Sequence, residues 1–310
     1  MENAYFKPMG VCPAMATPFA ASGEVNEAEM RRYVNWLIKQ GVHGLFPLGS
    51  MGEFIHLETE EKIHVMKIVA DAAGGRIPVL PGTSESSTDK CIKLTRAARD
   101  IGCQGAVISP PYYYPGSQGI IESHFKAVAK ALPDFPIVLY NIPLFSTPIT
   151  YDLFERVSRL DNIVALKDSS GSMVDLLHFM DKMRISGKDL SILVGREEMF
   201  LAALSMGSNG TMTASSGIIP EIMVEIYDLF QAGNFSKALR VQFSMLNLVR
   251  AMFSVPFPLG FKAALAFRGF NLGGPKQRLS DAEEHKFTEG RGRIYRILQE
   301  LLGDRLAADI

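Results

Sequence analysis

The sequence predicts a TIM (β/α)8 barrel with a C-terminal helical extension. Three observations carry that prediction. Short apolar runs, each too brief for a helix, recur eight times along the first 215 residues. Amphipathic segments of helical period separate them. Beyond about Gly233 the strand rhythm stops and only helical stretches follow.

The predicted strands occupy residues 12–19, 44–49, 78–83, 105–111, 136–143, 163–169, 190–195 and 210–215, and Gly or Pro tends to bound them. Between them, segment 27–40 places Met30, Tyr33, Val34, Leu37 and Ile38 along one stripe and stops at Gly41. Segment 59–73 sets Ile63, Met66, Ala70 and Ala73 at similar spacing. Segments 87–100, 121–131, 151–160, 174–184, 197–206 and 220–231 repeat the pattern. Strict β–α alternation implies a parallel sheet, and eight units favour closure into a barrel. An open doubly wound sheet would want a Gly-x-Gly-x-x-Gly turn after an early strand, and the chain has none. In the tail, 235–253 reads as one helix, Pro256 and Pro258 break it, and 261–268 and 282–302 read as two more. The expected division is therefore a barrel over 1–232 and a helical region over 233–310.

Composition narrows the function classes. At 310 residues, 47% hydrophobic and 21% charged, the chain has the make-up of a soluble enzyme. A net charge of -1 supplies no field for nucleic acid or anionic membranes, and no Lys/Arg run stands out. No apolar run reaches the roughly 18 residues a membrane span needs. Residues 1–10 carry charge and a proline, unlike a signal peptide, so a cytoplasmic protein is expected. Cys12, Cys91 and Cys103 are too scattered for a disulfide framework. The histidines at 43, 56, 64, 124, 178 and 285 show no metal-ligand spacing. Neither a metal nor a cofactor is expected.

In a barrel of this kind chemistry sits where the strands end. Lys167 is the sharpest anomaly there, because it closes the apolar run Ile163, Val164, Ala165, Leu166. Burying an ammonium lowers its pKa, and a neutral amine is the form that attacks a ketone. The bland alternative is a lysine paired with Asp168 or a glutamate. Tyr140 ends the preceding buried run, where a phenol could move protons beside an imine. The turn Gly49-Ser50-Met51-Gly52-Glu53 offers backbone N–H groups and a hydroxyl to a carboxylate. Glu53 itself reads as a structural carboxylate bracing neighbouring loops.

These strand ends, in this order and spacing, resemble the dihydrodipicolinate synthase/N-acetylneuraminate lyase family of Schiff-base aldolases. The Gly-x-x-Gly-Glu turn, Tyr140-Asn141-Ile142-Pro143 and Leu166-Lys167-Asp168 carry the similarity, together with Pro13-Ala14-x-x-Thr17-Pro18-Phe19. The resemblance implies a homotetramer built as a dimer of dimers, acting on pyruvate or another 2-oxo acid. It makes Lys167 the imine-forming residue and Tyr140 the proton shuttle. Gly49, Ser50 and the N–H of Met51 would hold the 2-oxo acid carboxylate. Tyr113 would match a tyrosine that reaches a neighbouring subunit's site.

Departures bear on the second substrate. The synthases place two threonines where this chain has Ser50 and Met51. They also carry an arginine, which grips the carboxylate of aspartate semialdehyde, where this chain has Phe145. Gly195-Arg196-Glu197-Glu198 resembles a hydroxyl-binding turn of the lyase branch. Ser169, Thr211, Thr213 and Ser215, with Met212 among them, add hydroxyls suited to a polyol. Arg196 could bind a distal carboxylate or phosphate, or pair with a neighbouring acid. The first expectation is thus a class I aldolase acting on a 2-keto-3-deoxy sugar acid. Dihydrodipicolinate synthase is the alternative, and a non-catalytic 2-oxo-acid-binding barrel the rival of another class.

Overall fold

The computed structural model describes residues 5–306. Six strands form one parallel ladder: β1 (Gly10–Val11), β2 (Ala106–Ile108), β3 (Ile137–Asn141), β4 (Ile163–Asp168), β5 (Ser191–Val194) and β6 (Gly210–Thr211). Their spatial order is β1-β6-β5-β4-β3-β2. Single parallel bridges, Ala14 to Phe46, Leu45 to Val79 and Gly82 to Val107, join the gap. Residues 44–48 and 79–82 are therefore the two remaining staves, and the ring closes as a TIM barrel. These two staves make only isolated bridges because Pro13, Pro47, Pro78 and Pro81 have no N–H to donate.

Eight helices surround the staves: α1 (Glu27–Lys39), α2 (Thr59–Ala73), α3 (Thr88–Ile101), α4 (Gln118–Ala131), α5 (Tyr151–Val157), α6 (Met173–Ser186), α7 (Phe200–Ser205) and α8 (Pro220–Gln231). Each turns its apolar stripe inward. In α1 the buried residues are Met30, Tyr33, Val34, Trp36 and Leu37, and the Asn26 side chain accepts the Glu29 N–H to cap its start. The segment expected as one helix over 197–206 begins instead as a 3-10 turn, Glu197–Met199, before α7. That turn is pinned by its buried carboxylate, as described below.

Four helices follow: α9 (Phe235–Ser244), α10 (Leu246–Phe253), α11 (Leu259–Phe267) and α12 (Asp281–Leu302). The expected single helix over 235–253 is in fact broken at Met245, where neither Pro nor Gly stands. Its two halves have different partners: α9 packs on α7 and α8, whereas α10 packs on α11 and α12. One hydrophobic core runs from the staves into this tail through Leu248, Phe261, Ile294 and Leu298. Among the described residues no helix is long and apolar enough to cross a membrane.

Candidate active site

Lys167 on β4 lies beside Tyr140 on β3 and Leu193 on β5 in the ladder, at the end of the strands where the loops open. It is 3% exposed. Its Nζ sits 3.9 Å from the centre of the Tyr140 ring and 4.4 Å from that of Phe46. Burial pushes the lysine pKa down, while the Tyr140 phenol and the Glu197 carboxylate hold it partly up. No carboxylate forms an ion pair with it among the described residues.

Asp168 does not serve as that partner. Side chains alternate along a strand, so Asp168 faces the opposite way. Its carboxylate accepts hydrogen bonds from Asn141 Nδ2 and Ser170 Oγ, both at 2.7 Å. Asn141 Oδ1 in turn accepts the Ile149 N–H at 3.0 Å. Together these bonds tie the loops after β3 and β4 and hold the two strand ends in register. Burial raises the Asp168 pKa against those hydrogen bonds.

Across the barrel the turn expected to bind the anion is a 3-10 turn, Ser50–Gly52. The amides of Ser50 and Met51 donate to no acceptor among the described residues. Gly49 is required there, because a Cβ would lie 2.8 Å from the Phe46 ring. Glu53 ends the turn in the left-handed region, at φ 55°. It is buried, and Lys262 Nζ of α11 donates to its Oε1 at 2.6 Å while the Lys276 N–H donates to Oε2 at 3.0 Å. The sequence reading of Glu53 as a brace holds, and its partners come from the tail.

A cavity of about 250 Å³ joins Ser50, Met51, Phe145 and Tyr140 to Lys167, Ser169, Gly195, Arg196, Glu197 and Met212. A second, of about 500 Å³, opens past Gly49, Ser50 and Tyr140 towards Tyr113, Phe145 and Phe257. Gly195 is a close-approach glycine: a Cβ there would fall 1.9 Å from Ser169 Oγ and 3.1 Å from Lys167 Cε. Tyr113, with φ 83° and 85% exposed, stands at the rim.

Several residues expected to bind a polyol are already engaged. Glu197 is buried, and its Oε1 accepts both the N–H and the hydroxyl of Ser215 at 3.0 Å. Burial raises its pKa, opposed by those bonds. The Thr211 hydroxyl donates to the Val194 carbonyl at 2.9 Å, and Thr213 shares a 2.6 Å hydrogen bond with Ser216. Glu198 is exposed and lines neither cavity. The expected hydroxyl-binding turn is therefore largely an internal lock. A carboxylate already satisfied by backbone and hydroxyl has little left for a sugar.

Sequence reasoning missed Phe46, which floors the lysine, and Phe253 and Phe257, which line its cavity from the end of α10 and the loop after it. The paired Pro256 and Pro258 were the available signal, since they end a helix beside the barrel mouth. For Tyr140, replacement by Phe keeps the ring over Lys167 and removes only the hydroxyl. The expected result is a fall in kcat of about 10²- to 10⁴-fold, with little change in the melting temperature. Steady-state kinetics beside a thermal melt would check it.

The barrel and this site are those of an imine-forming lyase. Residues 7–291 match the model of the dihydrodipicolinate synthetase family, and the chain belongs to that family. It is 34% identical over 300 residues to 4-hydroxy-tetrahydrodipicolinate synthase of Methanothrix thermoacetophila, a match covering 95% of this chain and 98% of the relative. The same-named enzyme of Methanospirillum hungatei is 33% identical over 279 residues, covering 89% of this chain and 94% of that one. Among solved structures, YagE of E. coli K12, a prophage protein of the family in complex with pyruvate, superposes with a TM-score of 0.87 at 26% identity. That match covers 94% of this chain and 98% of YagE. DapA-2 of Bacillus anthracis, a dihydrodipicolinate synthase, superposes at 0.86 with 30% identity, covering 94% and 97%. These relatives lend no support to the expected closeness to sugar-acid aldolases.

Proposed function

We propose that this enzyme joins pyruvate to an aldehyde through an imine on Lys167, in the manner of a 4-hydroxy-tetrahydrodipicolinate synthase. One observation carries the reading: a buried lysine without a counter-ion lies against a phenol, in one cavity with the unengaged amides of Ser50 and Met51. The neutral amine attacks the pyruvate ketone, and water leaves as the imine forms. Loss of a methyl proton gives the enamine, whose carbon attacks the aldehyde. Tyr140 supplies the proton that the aldehyde oxygen takes up. Hydrolysis of the new imine then frees Lys167. The Gly49–Met51 turn would hold the pyruvate carboxylate throughout.

The names of the curated relatives and the pyruvate in YagE support this reading and make aspartate semialdehyde the leading acceptor. Phe145 favours a second reading, cleavage of a 2-keto-3-deoxy sugar acid, because an aromatic ring cannot grip an acceptor carboxylate. Two measurements decide. Borohydride with pyruvate should add a reduced pyruvyl mass at Lys167, and its absence would remove both readings. Turnover of pyruvate with aspartate semialdehyde at ordinary enzymic rates would establish the first, whereas pyruvate release from a 2-keto-3-deoxy acid alone would establish the second.

The assembly belongs to the same reading. Tyr113 and Tyr114, 85% and 80% exposed, stack edge to face at the rim and offer an aromatic pair to a second copy. A homotetramer is the expected form, and light scattering after gel filtration should give a mass near four chains. A single-chain mass with full activity would show that Tyr113 does not act across subunits.

A further inference from the structure

Arg196 follows Gly195, where an added Cβ would lie 3.1 Å from Lys167 Cε. It is half-buried and lines the same cavity as the lysine. Its stem runs over Gly171, with Nε 3.6 Å from where a Cβ of that glycine would stand. Its guanidinium lies 5.7 Å from the centre of the Phe253 ring. The side chain is thus wedged between the loop after β4 and the end of α10. Yet no carboxylate pairs with it among the described residues. Both neighbouring acids are otherwise placed: Glu197 bonds Ser215, and Glu198 is exposed. A partly desolvated guanidinium without an anion is an unfavourable arrangement that a bound carboxylate would relieve.

The aromatic residues that line the cavity beside it carry no charge. Phe145 and Phe257 lie 6.5 Å apart, so position 145 offers an acceptor no charge. We propose that Arg196 is the specificity residue for the acceptor, binding a carboxylate at the far end of an aldehyde whose near end meets the enamine on Lys167. Its planar fork matches a carboxylate bidentately, and its wedged position keeps the fork oriented before the acceptor arrives. This assignment rests on the Lys167 imine proposed above. It reconciles a carboxylated acceptor with the ring at position 145, because the cation stands on the loop after β5 instead of the loop after β3.

The test compares two acceptors of one shape in the full-length enzyme with saturating pyruvate. Succinic semialdehyde carries the carboxylate, and 4-methylpentanal replaces it by an isopropyl group. The native protein should favour succinic semialdehyde in kcat/KM by about 10- to 100-fold, the range expected for charge-assisted hydrogen bonds. Arg196→Met should abolish that preference, chiefly through a higher KM for the carboxylated acceptor, with the KM for pyruvate held. Adding Phe145→Arg to Arg196→Met should restore part of it, which also shows that the single variant is folded. Equal use of both aldehydes by the native enzyme would overturn the proposal, as would an undiminished preference in Arg196→Met. A native protein that yields no borohydride adduct with pyruvate refutes the imine itself, a failure distinct from either of these.

Discussion

Replacing Lys167 by Ala should remove the borohydride adduct with pyruvate and lower turnover by at least about 10⁴-fold, since among the described residues no other amine lines the cavity to take over as nucleophile. Mass spectrometry of the trapped protein and a pyruvate-consumption assay measure the two effects separately. A variant that kept the adduct would place the nucleophile elsewhere. The same lysine sets a pH dependence. Only the neutral amine attacks, and burial holds its pKa below the usual value of about 10.4. The trapping rate should therefore climb with pH and level off before the ordinary lysine range. Stability runs in the same direction: an unfolded chain binds this proton more tightly than the folded one, so folding is disfavoured below the unfolded pKa and recovers as pH rises towards it. Lys167→Met, which removes the buried charge and keeps the volume, should then melt higher than the native protein at neutral pH, and the gain should shrink as the solution becomes alkaline.

The second large effect is expected far from the imine. Lys262 and Glu53 form an ion pair at 2.6 Å with side chains only 6% and 3% exposed. Burial pulls the Lys262 pKa down, and the Glu53 carboxylate pulls it back. Lys262→Met strands a buried carboxylate, a change that costs about 3–5 kcal/mol. At roughly 2–4 °C per kcal/mol in domains of 150–250 residues, the melting temperature should fall by around 10 °C. Because Glu53 ends the Ser50–Gly52 turn, the surviving enzyme should also show a raised KM for pyruvate. Glu53→Gln added to Lys262→Met should recover much of the stability, since neither charge then remains. A double-mutant cycle with no coupling between the two would show that the pair does not brace the turn.

That pair illustrates what could be read from residues alone. Lys167 was legible because a charge closing an apolar run is costly unless used, and Tyr140 because it ends the neighbouring run. The eight-fold alternation was legible because the two hydrophobic periods differ so clearly. Residue types were visible in this way, whereas partners were not. Glu53 and Lys262 lie 209 positions apart, and nothing in either neighbourhood names the other. The hydroxyls of Thr211, Thr213 and Ser215 looked free for a sugar, and only the fold shows that Val194, Ser216 and Glu197 already engage them. The break at Met245 was hidden for a related reason. It arises from two different packing surfaces, while the helical period runs straight through.

The prolines of the first staves have a further consequence. Around β3, β4 and β5 the ladder is continuous, and it carries Tyr140 and Lys167. Around residues 44–48 and 79–82 it is reduced to single bridges, and that side carries the Gly49–Met51 turn. The barrel thus has one wall with an extended ladder and another where prolines interrupt it. The proposed covalent chemistry, which needs two groups held at a fixed separation, would stand on the first wall. The proposed capture of a carboxylate would stand on the second. Hydrogen exchange should report the asymmetry directly, with amides of Leu139 and Leu166 outlasting those of Leu45 and Leu80, and pyruvate narrowing the gap.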